Sequence, residues 1–259
     1  MRIEPSNPAP RDNLTTEIKR FWSQNVNAER IFGKTVSQHQ RGEDGYFRDL
    51  ETQRYRSHRH LLPWIHGMQA GKQVLEVGCG IGLDAYAMAS HGLNVTAVDL
   101  TEVGVRTAQT RFLRHGVNGR FLTASAEHLP FPSNTFDYVY SFGVLHHAAD
   151  TEACIREVHR VLRPGGEARI MLYHRHSLNE LVHRLTRIPF EEKSAICPVV
   201  RRFTKREIAR LFRDFSSACT ELDYVYGEGY GVIFRLTPRG LYSWMSRRFG
   251  WHIMCYGVK

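Results

Sequence analysis

The apolar run Val74-Leu75-Glu76-Val77 leads into Gly78-Cys79-Gly80-Ile81-Gly82 and then into a helix-like stretch, Leu83–His91. Glycines allow a tight turn and let backbone come close to a ligand, and the N-terminus of the following helix adds partial positive charge. Nicotinamide and flavin sites use this turn with glycine at its first, third and sixth positions. Here Gly78 and Gly80 supply two of the three and Leu83 occupies the last, so the dinucleotide pattern is broken. Asp99 closes a second apolar run, Asn94–Asp99. In an open parallel sheet, neighbouring strand ends lie side by side, which would bring this carboxylate to the glycine turn to accept two ribose hydroxyls. The competing use for Asp99 is to cap the helix that begins at Thr101-Glu102.

Two histidine groups follow later apolar runs. His146-His147 comes after the run Phe136–Ser141, and Tyr173-His174-Arg175-His176 closes the run Gly166–Tyr173. Because ligands bind at the carboxyl ends of parallel strands, Tyr173, His174 and Arg175 could orient a substrate or take its proton. An imidazole of near-neutral pKa suits an O–H or N–H acceptor. No carboxylate or third ligand has a spacing that would turn these histidines into a metal site, so no metal is expected.

The elements that must position these residues are legible as an alternation. Strands are expected at Gln73–Val77, Asn94–Asp99, Arg120–Thr123, Phe136–Ser141 and Gly166–Tyr173, with helices at Leu83–His91, Glu102–His115 and Thr151–Leu162. The last helix stops at Arg163-Pro164-Gly165-Gly166, read as a turn. Such alternation builds right-handed βαβ units and a parallel sheet covered on both faces. Beyond it, Ser177–Leu185, Lys205–Arg213 and Leu241–Phe249 read as helices, with a loop containing Pro189 and Pro198 between the first two. Cys219–Tyr226 and Trp251–Val258 read as an antiparallel pair that finishes the sheet. Ahead of it, residues 1–15 are expected to be loosely attached, and Thr16–Gln69 is expected to be helical cover with a loop marked by Gly33, Gly42 and Gly45. The division is therefore 1–69 as extension and cover and 70–259 as the main domain, with 175–218 and 227–250 as insertions over the site.

Composition narrows the class. A chain of 259 residues, 42% hydrophobic and 24% charged, can bury a full α/β core and does not resemble a disordered scaffold. Apolar runs such as Ala85–Ala89 are too short to span a bilayer, and Met1-Arg2-Ile3-Glu4-Pro5 lacks the apolar stretch of a secretory signal, so a cytoplasmic location is expected. The five cysteines are odd in number and include no C-x-x-C pair, which argues against a disulfide framework or a cysteine zinc site. Net charge is +9, and His174 to Lys259 carries 15 Lys and Arg against 8 Asp and Glu. That skew could attract an anionic substrate or a nucleic acid, although aromatics are not interleaved with the basic residues as in RNA-binding motifs.

Five ordered motifs give a resemblance. Glu76 to Gly82, Val98-Asp99-Leu100, Ala126-Glu127-His128-Leu129-Pro130-Phe131, Phe136 to His147 and Arg160 to Gly166 together resemble the class I S-adenosylmethionine-dependent methyltransferases. The nearest subgroup is the one with ubiquinone and menaquinone C-methyltransferases and natural-product enzymes. The resemblance covers about residues 70–175 and implies a Rossmann-like, seven-stranded, mostly parallel sheet with an antiparallel last strand. It implies S-adenosylmethionine as cofactor and S-adenosylhomocysteine as product. By resemblance, Glu76 holds the methionine ammonium, Gly78, Cys79 and Gly80 give backbone room, and Asp99 with Leu100 holds the ribose. Ser125, Ala126 and Glu127 lie along the adenine, and Ser141 and Phe142 meet the methionine end. Ser125 stands where the family usually has an acid.

The function expected on these grounds is methyl transfer to a small-molecule acceptor in secondary or cofactor metabolism. His146, Tyr173 and His174 are the catalytic candidates, and Tyr46, Tyr55, Arg56 and Arg175 the candidates for lid and substrate contact. The alternatives are an RNA methyltransferase acting on a tRNA wobble position, whose relatives share the Leu-Pro-Phe and His-His motifs, and a non-catalytic adenosyl-ligand subunit. No Asn/Asp-Pro-Pro-aromatic run follows the fourth strand, which argues against methylation of an exocyclic base amine.

Overall fold

The computed structural model describes residues 11–26, 29–31, 34–186, 197–227 and 230–259. Seven strands form one sheet: β1 (Gln73–Val77), β2 (Asn94–Asp99), β3 (Arg120–Thr123), β4 (Phe136–Phe142), β5 (Leu162–Tyr173), β6 (Ser217–Asp223) and β7 (His252–Val258). Their spatial order is 3-2-1-4-5-7-6. β1 to β5 run parallel, and β7 lies antiparallel between β5 and β6. The chain direction reverses between β2–β1 and β1–β4, which opens a crevice at the carboxyl ends where an open α/β sheet takes its ligand.

Helices cover both faces. On one side α3 (Leu61–His66), α4 (Leu83–Ser90) and α5 (Glu102–Arg114) bury Trp64, Ile65, Met88 and Phe112 against Val74, Val95 and Tyr140. On the other, α6 (Thr151–Val161) and α8 (Lys205–Leu211) bury Ile155, Val158 and Ile208, with Phe212 and Phe215, against Val139, Ile170 and Ile253. α8 therefore belongs to the layered core, so this part of 175–218 is not a cover over the site. Three helices start on side-chain caps: Thr101 accepts from Gly104 N–H, Asp150 from Ala153 N–H, and Thr204 with Glu207 closes a capping box.

Several boundaries differ from expectation for physical reasons. β5 begins at Leu162, directly after α6, because Leu162 pairs with Phe136 before Tyr138 pairs with Glu167; Arg163–Gly166 is an irregularity within the ladder and not a turn before it. β6 spans Ser217–Asp223, since Tyr224 adopts a left-handed φ of 59° that ends the ladder. At the N-terminal end α1 (Arg11–Gln24) is a full helix, so the loosely attached segment cannot extend to residue 15; residues 1–10 lie outside the described residues. Gly45 sits in α2 (Asp44–Ser57), not in a loop, and Gly33 and Pro189 lie outside the described residues. The tail carries α7 (Leu178–Thr186) and a helical hairpin, α9 (Val232–Leu236) and α10 (Arg239–Phe249).

One side chain ties the helical cover to the sheet. Arg169, mid-strand in β5, donates to the carbonyl oxygens of Trp64 and of Gly67, the latter at 2.9 Å, and pairs with Glu167 at 2.7 Å. A cation on the free carbonyls at a helix C-terminus satisfies acceptors that the helix cannot. Arg169→Leu is therefore expected to destabilise the fold by about 1–3 kcal/mol, measured by urea unfolding; an unchanged midpoint would remove this role.

Candidate active site

The crevice holds a cavity of about 150 Å³, floored by the glycine turn and walled by the ends of β1, β2 and β4. Glu76, Gly78, Cys79, Gly80, Asp99, Leu100, Ser125, Ala126, Glu127 and Phe142 all line it. The turn is held from two sides. Gly78 and Cys79 N–H donate to the Val98 carbonyl at 2.7 and 3.0 Å, and Asp99 Oδ2 accepts from Gly80 N–H at 2.8 Å. Gly80 has φ of +50°, and a Cβ built there would meet nothing within 4 Å, so its α-carbon faces open space. Gly82 has φ of +78°, and a Cβ there would run into Ala108, which explains why the turn needs glycine at its end as well.

Asp99 is engaged by Gly80 N–H and, through its other oxygen, by the backbone and hydroxyl of Thr101 at 2.8 and 2.7 Å. The helix cap itself is Thr101. Oδ1 thus accepts two hydrogen bonds and Oδ2 one, so a lone pair remains on Oδ2 for a ligand. Ser125 accepts from Glu127 N–H at 3.2 Å, and Glu127 accepts from Asp150 N–H at 2.9 Å, so both shape the wall.

Glu76 is almost fully buried, and its Oε2 has no hydrogen-bond partner. Burial pushes its carboxyl well above the usual range, the nearby Asp84 carboxylate pushes the same way, and Arg54 opposes both. Asp84 is fully partnered: Arg54 donates at 2.8 Å, Tyr140 at 2.9 Å and Tyr55 at 3.1 Å. Burial alone would raise Asp84, but Arg54 and these donors hold it below its ordinary value. Arg54, on α2, thus joins the cover to α4 and also sits 5.1 Å over the Phe142 ring.

The remaining candidates fall elsewhere. Ser141 does not line the cavity; it is fully buried and donates to the Val77 carbonyl at 2.8 Å, joining β4 to β1. His146 is also fully buried and outside the cavity lining, with its ring 3.8 Å from that of Tyr173; His147 lines the cavity instead. Tyr173 stacks on Trp251 at 4.4 Å. His174 turns to the Gly250 carbonyl, 3.0 Å away, and Arg175 pairs at the surface with Glu207 and the Arg202 carbonyl. Among the lid candidates, Tyr46 donates to Glu29, Tyr55 serves Asp84, and Arg56 is exposed beside Gln53.

The roof comes from α1, whose Thr15, Ile18 and Trp22 line the cavity one turn apart. That i, i+3, i+7 spacing was the available signal in the sequence. Past Phe142 lies a group of rings with no local signal. His58 stacks on Tyr224 at 4.6 Å, Tyr224 stacks on His252 at 4.4 Å, and His252 Nδ1 lies 3.2 Å from His60 Nε2. Strand register places Tyr173, His252 and Asp223 in one row at the carboxyl edge, next to the end of β4. Phe142, which lines the cavity, meets His58 and His252 edge-on at 5.7 and 5.2 Å, so these rings pack behind it.

Residues 75–170 match the family model for a methyltransferase domain. Over those residues the chain is similar to a methyltransferase domain. Over 100 residues the domain is 40% identical to a ubiquinone biosynthesis O-methyltransferase of Pseudomonas syringae pv. tomato, which is 38% of this chain and 43% of that one. Over 128 residues it is 36% identical to the 27-O-demethylrifamycin SV methyltransferase of Amycolatopsis mediterranei, 47% of each chain. The chain spans less than half the length of the curated relatives it matches. An S-adenosylmethionine-dependent methyltransferase of Thermotoga maritima superposes with a TM-score of 0.60 at 17% identity, over 93% of this chain and 99% of that one, which shows the shared fold. S-adenosylmethionine is the cofactor of such domains, and the methyltransferase domain here fits it. A buried unpartnered carboxylate oxygen suits its ammonium, and the bare α-carbon of Gly80 leaves room for it.

Burial pushes His58 down to about 3 and His147 down to about 4, so both are neutral near pH 7. In the unfolded chain they charge near pH 6.5, so the unfolded state binds more protons below that value. Stability is therefore expected to fall as pH drops from about 6.5 to 4, by roughly 1.4 kcal/mol per pH unit for each histidine held neutral. Urea unfolding across that range should show the slope, and His58→Asn should flatten it by one proton.

Proposed function

We propose that the chain transfers the methyl group of S-adenosylmethionine to a small-molecule acceptor. The observation that carries this is the buried, unpartnered Oε2 of Glu76, set at the glycine turn beside Asp99 within the matched domain. Glu76 would hold the ammonium, and Asp99, whose Oδ2 keeps a free lone pair, the ribose. Leu100, Ala126 and Cys79 would give apolar walls, with Ser125 and Glu127 at the adenine edge. Phe142 would face the methyl end. The cofactor supplies a methyl already activated by a sulfonium, so the protein's task is to bind, orient and exclude water. Trp22 and Ile18 of the α1 roof, with the paired Arg54, serve that exclusion.

Small-molecule acceptors are supported by the two curated relatives, one named for a quinone pathway and one for rifamycin. A place in secondary or cofactor metabolism is our reading on the same ground. We read the acceptor as an uncharged, ring-bearing molecule, because Phe142, which lines the cavity, is backed by Tyr224 and the neutral imidazoles of His58 and His252. Arg54, the nearby cation, is already spent on Asp84. Among the described residues no helix is long and apolar enough to cross a membrane. A reducing, cytoplasmic setting is our reading from the odd number and spacing of the five cysteines.

Two experiments test the reading. Asp99→Ala is expected to weaken S-adenosylhomocysteine binding by about 1–3 kcal/mol, read by titration calorimetry, while NAD leaves the melting temperature of the wild type unmoved. A melting shift with NAD alone would overturn the assignment. The second experiment uses Glu76, whose pKa is raised in the free protein. An ammonium placed beside it favours the ionised form, so binding should release a proton and tighten as pH rises through that raised value. Calorimetry in two buffers of different ionisation enthalpy should detect the proton, and Glu76→Gln should abolish it.

A further inference from the structure

The helical hairpin α9–α10 has an inner and an outer face of opposite character. Inward, Phe234 and Tyr242 pack with Val225 and Tyr226, and the Arg59 guanidinium lies 4.4 Å over the Phe234 ring. Outward, aliphatic and aromatic side chains stand in solvent: Ile233 is 60% exposed, Leu236 75%, Leu241 50% and Trp244 54%. On α10, Leu241, Trp244 and Arg248 fall at i, i+3 and i+7, one stripe opposite buried Tyr242 and Ser246. Monomeric proteins seldom expose a contiguous apolar patch of this kind without a use for it.

The charges around the patch are of one sign. Arg235, Arg239, Arg247 and Arg248 are all exposed, and none makes a salt bridge among the described residues. From Tyr230 to Lys259 the sequence contains no Asp or Glu. Apolar groups interleaved with unpaired arginines, including a tryptophan, match the interface of an anionic bilayer, where apolar side chains enter the acyl boundary and cations meet headgroups. A nucleic acid would call for stacking aromatics in a groove, and here the exposed apolar groups are mostly aliphatic.

We propose that the outer face of α9–α10 docks the protein on anionic lipid surfaces. The proposal stands apart from methyl transfer, since docking needs neither cofactor nor acceptor. Vesicles of phosphatidylcholine alone and of phosphatidylcholine with phosphatidylglycerol test it by co-sedimentation of the full chain. Binding to the anionic vesicles is expected, with little to the neutral ones, and Trp244 emission should shift to the blue. Raising salt should weaken binding, and Arg247→Gln with Arg248→Gln should weaken it by about fivefold per arginine. Leu236→Ser with Trp244→Ser should weaken it with the charges intact. Unchanged S-adenosylhomocysteine binding and melting temperature would show that both variants are folded. Equal binding to both vesicle types, or none to either, would overturn the proposal. So would concentration-dependent dimerisation in ultracentrifugation, or RNA binding, lost in the same variants without any vesicle binding.

Discussion

Two carboxylates and one guanidinium share the buried floor of the site, and the structure turns on how they are partnered. Asp84 receives Arg54, Tyr55 and Tyr140, and so keeps its charge where burial would remove it. Glu76, close enough to feel both, is left with an unpartnered oxygen. Desolvation of a charge inside a protein costs several kcal/mol unless a partner offsets it. The pair therefore fastens α2 to α4 and leaves Glu76, which lines the cavity, with one oxygen unpartnered among the described residues.

The glycine turn depends on a second, smaller device. Asp99 Oδ2 binds Gly80 N–H while Asp99 Oδ1 binds Thr101, so one side chain fixes the turn after β1 to the start of α5. Gly104 presses on the same loop, since a Cβ there would meet the Gly80 carbonyl at 2.8 Å. Helix start, strand end and turn are thus one rigid unit, and one lone pair remains on Oδ2 of the carboxylate that builds it. The two uses weighed for Asp99, ribose contact and helix start, are not exclusive in this geometry.

Much of this was legible in the sequence because it is local. The alternation of apolar runs and helices placed β1 to β4 within a residue of their observed ends, and the turn, Asp99 and the Ala126-Glu127 stretch all line the cavity. What stayed hidden depends on long-range pairing. Arg54 and Asp84 are 30 positions apart and sit in unremarkable helical context. His58 and His60 meet His252 only because β7 returns antiparallel beside β5 and brings its first residue to the carboxyl edge. Ser141 and His174 were misplaced for a related reason. Sequence gives the strand end but not the side of the sheet on which the side chain lands, and both are consumed by backbone carbonyls.

The basic skew of the C-terminal half resolves in the same structural terms. Arg175, Arg201, Arg202 and Arg213 are spent on carboxylates or carbonyls of the fold. The arginines of α9 and α10 make no salt bridge among the described residues, and no acid follows Tyr230 in the sequence. Net charge read along the sequence suggested an anionic substrate, yet the imidazoles packed behind Phe142 of the cavity wall are neutral. The excess charge therefore sits on the outer face of the cover and not in the pocket. Charge that faces outward beside exposed leucines and a tryptophan bears on where the protein resides, while the buried Glu76, Asp84 and Arg54 bear on what it binds.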